Sequence, residues 1–211
     1  MSVCGKSYIP FSKISRNSPS FNPIIQKRVI SSIKRNNGNV FCLVHPGFLM
    51  QKSGLIPWLF LYQDNSIGQQ KSEYKKYLKN IQLRLSTNDD PLVLFVERQK
   101  TRSVFEWLVP QTKTDTVILV PTFPKDPLPI LRMLDKRSPW DELYRTFKKD
   151  LGIKNIVFGG ELFFSEENSL GGVDYCGCVA EAFNQAKKYL KAVVDLNFSY
   201  PNTFVPRISQ K

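Results

Sequence analysis

Cys176 is the residue with the most chemistry to offer in this chain. It lies in GGVDYCGCVAEAFNQAKKYL (Gly171 to Leu190), whose pattern predicts a helix from about Tyr175 to Lys191. A thiol at a helix N-terminus feels the positive end of the dipole, which lowers its pKa and raises its thiolate fraction. His45 is the chain's single histidine and could accept the thiol proton, since imidazole titrates near ~6.5. Glu97 or Glu161 could orient that imidazole, and backbone N–H groups at the helix start could stabilise an oxyanion. The chemistry so assembled is cysteine-dependent hydrolysis or acyl transfer on a small amide or ester.

Each of these residues also has a plainer reading. Cys176 belongs with Gly177, Ala180, Ala182 and Ala186 to a set of small residues that lets a helix lie close to a sheet. His45 stands beside Pro46 and could simply hydrogen-bond a neighbouring carbonyl. Glu97 is followed by Arg98, the pattern of an ordinary surface ion pair. Cys178 falls ~200° round a regular helix from Cys176, so in such a helix the two would not face one site. One histidine excludes any site that needs two, including HExxH. No metal site and no cofactor are expected.

The elements that must position these residues alternate in kind. NVFCLVHPGF, PLVLFVER, DTVILVPT, KNIVFGG and AVVDLNF read as apolar strands. LIPWLFLY (Leu55 to Tyr62) is a further short strand or a turn of helix. SEYKKYLKNIQLRLS (Ser72 to Ser86) has Tyr74, Tyr77, Leu78, Ile81 and Leu85 at helical spacing. SPWDELYRTFKKDLG carries helix-start signals at Ser138 and Pro139 and a stop at Gly152. Continuously apolar strands between amphipathic helices imply a three-layer α/β/α fold, Rossmann-like, with a mostly parallel sheet of about five strands.

In such sheets a small-molecule ligand binds at the carboxyl ends of the strands. Those ends deliver His45, then Glu97 with Arg98, then Pro121 with Thr122, then Gly159, Gly160 and Glu161, and finally Asp195. Gly159-Gly160 and Gly171-Gly172 bracket ELFFSEENSL, which reads either as a cover for a ligand or as a surface loop. Neither glycine pair forms GxGxxG or GxxxxGK[ST], so a nucleotide site is not indicated.

Charge divides the chain. The net charge is +12, yet no acidic residue precedes Asp64, and eight lysines and arginines fall in that span, leaving +4 for the remainder. Residues 1–37 read as a basic, acid-free arm ahead of a single α/β domain at 38–211. The arm could be an import presequence, a segment ordering on a polyanion, or a terminus whose IIQKRVISSIKR packs Ile24, Ile25, Ile30 and Ile33 on the core. Lys27, Arg28, Lys34 and Arg35 would contact nucleic acid or another polyanion, with Tyr8, Phe11 and Phe21 available for stacking. The four cysteines read as reduced thiols of a cytoplasmic protein, with organellar import as the alternative. The longest apolar run is too short to cross a bilayer. Assembly into an oligomer is left open.

The stretch VDYCGCVAEAFNQAKKYLKAVVDLNF resembles the last helix and strand of the isochorismatase-like hydrolases, which include nicotinamidases. Asp174, Tyr175 and Cys176 match the centre of that family's TDYCV-like motif, over about residues 173–198. The resemblance implies that Cys176 is the nucleophile and that Asp195 corresponds to the acidic residue after the last strand. His45 stands where the family has a catalytic Asp. The family's Lys has no counterpart in a matching motif, although Lys100 and Lys125 lie near strand ends. The resemblance therefore implies either a Cys-His arrangement or a relative without catalysis.

Overall fold

A computed structural model describes residues 8–47, 67–123, 126–131, 138–167, 173–201 and 203–205. Six parallel strands form the main sheet in the order β1-β4-β3-β2-β5-β8. They are β1 (Tyr8–Pro10), β2 (Asn39–Val44), β3 (Leu92–Glu97), β4 (Val117–Thr122), β5 (Asn155–Glu161) and β8 (Lys191–Tyr200). Val, Ile, Leu and Phe dominate β2, β3 and β4, and β3 is buried along its whole length. Only a central strand covered on both faces can be apolar on both sides of its pleat. The helices α1 (Pro23–Arg35), α2 (Ile67–Thr87), α3 (Thr101–Leu108), α4 (Pro139–Arg145) and α5 (Cys178–Ala186) complete a three-layer α/β fold. No described helix is long and apolar enough to cross a membrane.

The strand order places a topological switch at the middle of the sheet. From β2 the chain adds β3 and β4 on one side, then crosses to add β5 and β8 on the other. In sheets of this kind ligands bind beyond the strands' carboxyl ends at such a switch point. The backbones approach closely at this point. Gly160, at φ +135°, has no room for a side chain, because a Cβ there would lie 2.1 Å from the Val44 carbonyl oxygen.

The described part of the supposed arm, residues 8–37, is part of the core. β1 pairs with β4 from Tyr8↔Val117 to Pro10↔Leu119, and Phe11, Ile14, Val29 and Ile33 are buried. Asn22 caps α1 by accepting the Ile24 and Ile25 N–H groups, with Pro23 at the first helical position. Of the four isoleucines expected against the core, Ile33 is buried and Ile25 and Ile30 pack partly on it. Ile24 instead points out, 78% exposed. Buried Glu142 of α4 accepts hydrogen bonds from Ser15 Oγ (2.6 Å) and Asn17 Nδ2 (2.7 Å), fixing the loop between β1 and α1. A boundary at residue 37 would cut through this packing.

Other elements shift from expectation. α2 starts at Ile67, before Ser72, and α4 gives way at Thr146 to a wider π turn that ends at Asp150. ELFFSEENSL supplies β6 (Phe164–Glu167), which pairs antiparallel with β7 (Val173–Cys176) and parallel with β9 (Thr203–Val205) in a second sheet. The predicted helix at Tyr175 therefore begins three residues later. LIPWLFLY, Gly171-Gly172 and Lys125 lie outside the described residues.

Candidate functional site

Four adjacent parallel strands end in polar residues that are buried. His45 follows β2 at 2% exposure, Glu97 ends β3 at 2%, Thr122 ends β4 at 0%, and Glu161 ends β5 at 0%. Burying polar groups is costly unless they are hydrogen-bonded, and the partners are present. His45 Nε2 and Thr122 Oγ1 lie 3.0 Å apart, linking β2 to β4 past the end of β3. Glu161 Oε1 accepts the Gly47 N–H at 2.8 Å and the Tyr74 hydroxyl at 2.9 Å. Gln99 Nε2 reaches Glu97 Oε2 at 3.3 Å.

The backbone is strained at the same place. Three described non-glycine residues have positive φ, and two of them are His45 (+50°) and Leu162 (+64°). They follow β2 and β5 directly, on the two sides of the switch point. Left-handed backbone costs an L-residue about 1 kcal/mol or more and persists where the surroundings enforce it. At His45 it turns the chain so that the next described residues bring the Gly47 N–H back onto Glu161.

A tyrosine cluster closes the α2 side. The Tyr74, Tyr77 and Tyr200 rings lie 5.0 to 5.7 Å apart around Glu161. Burial, reinforced by the Glu161 charge, pushes the Tyr74 phenol well above its usual value, so it stays a hydrogen-bond donor. Burial likewise raises Tyr77, and pushes Tyr200 up to about 12. Among the described residues the buried Tyr77 hydroxyl has no hydrogen-bond partner.

The cysteines sit on the opposite flank. Cys176 is the last residue of β7 and is half-buried; it is not within a helix. Gly177, at φ +88°, turns the chain, and Cys178 is the first residue of α5. The Val179 N–H points to the Leu162 carbonyl at 3.5 Å, which brings the start of α5 to the carboxyl end of β5. Because the glycine interrupts regular helix, both cysteines line one cavity of about 600 Å³ with Asp126, Tyr175 and Glu181. The 200° argument for opposed thiols does not apply to this geometry. Burial, followed by the charges of Glu181, Asp126 and Glu97, pushes the Cys178 thiol up to about 12. This surrounding favours a protonated thiol at neutral pH.

The remaining candidates lie apart. Asp195 is inside β8, not beyond its end, and its Oδ1 accepts the Asn197 N–H at 3.0 Å. Lys27, Arg28, Lys34 and Arg35 are all exposed on one side of α1. Arg28 and Arg35 come within 4.0 and 3.9 Å of Asp115. Among the described residues no group of three or more His, Cys, Asp and Glu side chains could hold a metal ion.

Sequence reasoning placed His45, Glu97, Thr122 and Glu161 on the right edge of the sheet. It missed Tyr74, Cys178, Asp126 and Glu181. Tyr74 shares its helical stripe with core residues, and only its hydroxyl, which needs a partner when buried, sets it apart. The fold and this edge define a doubly wound α/β protein whose strands at the switch point end in buried polar and carboxylate side chains. Comparisons with family models, with curated proteins and with solved structures found no match for this chain.

Proposed function

We propose that this protein binds a small molecule beyond the carboxyl ends of β2 and β5. The observation that carries the reading is the convergence of buried His45, Glu97, Thr122 and Glu161 on four neighbouring strand ends. In open α/β sheets the strands' carboxyl ends beside a switch point are where ligands bind, and here those ends carry donors and acceptors. Buried Glu97 and Glu161 at the strand ends, with Asp126 and Glu181 on the cysteine flank, make this edge acidic within a protein of net charge +12. The chemistry favours a ligand that carries a positive charge or donates several hydrogen bonds, such as a small amine or a polyol.

The test is a titration of the full chain with a panel of small amines, amino acids, polyols and carboxylic acids, read by thermal shift and by amide chemical shifts. Amines or polyols should stabilise the protein and perturb residues 45–47 and 159–162. Glu161→Gln and His45→Gln should each weaken that binding about tenfold, the loss of one charge-assisted hydrogen bond. A preference for anions, or binding that ignores both substitutions, would sink the reading.

Cysteine chemistry on the flank of this edge is a second reading, supported by the common cavity of Cys176 and Cys178 and by the resemblance around Cys176. The two cysteines are then nucleophile and neighbour on the flank of a site whose proton acceptor is His45. A third reading rests on the row of exposed cations on α1: Lys27, Arg28, Lys34 and Arg35 would contact the phosphates of a nucleic acid. That binding would weaken steeply with salt.

A further inference from the structure

The two edges of the main sheet are unlike each other. β1 is three residues long and ends in Pro10, and both shortness and a missing N–H discourage pairing. β8 has ten residues without proline or glycine, and among the described residues it has a neighbouring strand, β5, on one side only. It also exposes Val193 at 48% and Leu196 at 46%. A long, apolar, open edge is a template for another strand.

Backbone parity shows which groups of β8 are offered. The Lys191 N–H donates to the Lys154 carbonyl, and Lys191 is paired with Asn155 in a parallel ladder. Lys191 and Val193 therefore turn both main-chain groups toward β5. Ala192 and Val194, between them, turn theirs to the open side. The side chains of Lys191, Val193 and Asp195 alternate onto one face of the sheet.

We propose that β8 pairs antiparallel with β8 of a second copy of this chain, about a twofold axis at Val193, joining two six-stranded sheets into one. In this register Ala192 faces the partner's Val194, and the two outward-facing residues exchange both N–H···O=C bonds. Lys191 then lies opposite the partner's Asp195, and the twofold axis makes the same pair again. These opposed residues occupy non-hydrogen-bonded positions, where side chains come closest. Val193 meets its own image between the two ion pairs.

Neighbouring registers fail. A shift of one residue sets outward-facing groups against inward-facing ones. A shift of the axis to Ala192 or Val194 sets Lys191 opposite Val193 or Asn197 and loses both ion pairs. The register to β5 breaks between Phe158 and Gly160, where β8 bulges after Val194, so the pairing spans about the five residues 191–195. An interface this short gives a weak dimer that depends on concentration.

Sedimentation velocity of the full chain from ~10 μM to ~1 mM, the weak end of specific association, tests the pairing. The wild type should pass from monomer to dimer within this range. Lys191→Asp or Asp195→Lys alone creates two like-charge oppositions and should raise the dissociation constant about tenfold or more. The double variant Lys191→Asp/Asp195→Lys should recover the dimer, with unchanged thermal melts confirming that each variant folds. A wild type that stays monomeric throughout overturns the proposal. So does a dimer indifferent to the single substitutions, or one that the double variant fails to restore.

Discussion

Glu161 is the residue on which most of the candidate site depends. It is fully buried, and one oxygen takes both the Gly47 N–H and the Tyr74 hydroxyl. Tyr74→Phe deletes one donor to a buried carboxylate and nothing else, so it should destabilise the protein by about 1.5–3 kcal/mol, the worth of a hydrogen bond to a charged group. Urea denaturation at neutral pH measures this, and a loss under ~0.5 kcal/mol would mean that water replaces the phenol. Cys178 gives a second prediction at this scale. With its thiol pushed up to about 12 by burial and three carboxylates, it should alkylate slowly at pH 7 and speed up steeply above pH 9. The sign is that of an acid whose charged form is disfavoured: less thiolate at every pH below its pKa. Glu181→Gln removes the strongest of the three carboxylate effects on Cys178 and should raise the iodoacetamide rate at pH 8, read peptide by peptide in a mass spectrometer. An unchanged rate would leave burial alone in control.

At the scale of elements, the close approach of β2 and β5 holds the candidate site together. Gly160 has both a left-hand φ and a Cβ position 2.1 Å from Val44 O. Gly160→Ala must therefore push the two central strands apart, and it should cost more than ~3 kcal/mol or abolish soluble expression. Gly152 is the control. Its φ is +74°, but a Cβ there meets nothing within 4 Å, so Gly152→Ala should cost only about 1 kcal/mol of backbone strain. Chemical denaturation of both variants separates strain from steric conflict. If the two substitutions cost the same, the close approach of β2 and β5 is not what the structure indicates.

The whole molecule argues against a detachable basic arm. Deleting residues 1–37 would remove β1, α1 and the buried side chains of Phe11, Ile14, Val29 and Ile33. Burial of one such side chain stabilises by about 1.5–3 kcal/mol, so four contribute about 6–12 kcal/mol, comparable to the ~5–15 kcal/mol that keeps a typical domain folded. The truncated chain should be insoluble or molten, as judged by circular dichroism and a lost unfolding transition. A truncated protein with a cooperative melt would restore the arm. The basic stripe on α1 is thus a surface of the folded domain, and any polyanion would meet it as a rigid face.

What the sequence determined by itself was the layer order and the chemistry of the sheet's carboxyl edge. Runs such as NVFCLV and PLVLFVE are apolar on both sides of the pleat, and this composition is stable only under helices on both faces. His45, Glu97, Thr122 and Glu161 were legible as strand ends because each closes such a run. Only the tertiary structure decided what these residues touch. Tyr74 lies 87 positions from Glu161 and Thr122 lies 77 from His45, and no local pattern encodes pairings across that distance. The same holds for the two cysteines. Their spacing indicated opposite faces of a helix, but strand pairing of Cys176 in β7 outweighed helix propensity, and Gly177 turned both toward one cavity. Of the three readings of residues 1–37, the helix packed on the core is the one the described residues agree with. Composition could not select it, because basic residues on one side of α1 dominate while the few buried side chains that anchor it are visible only against the strands they cover.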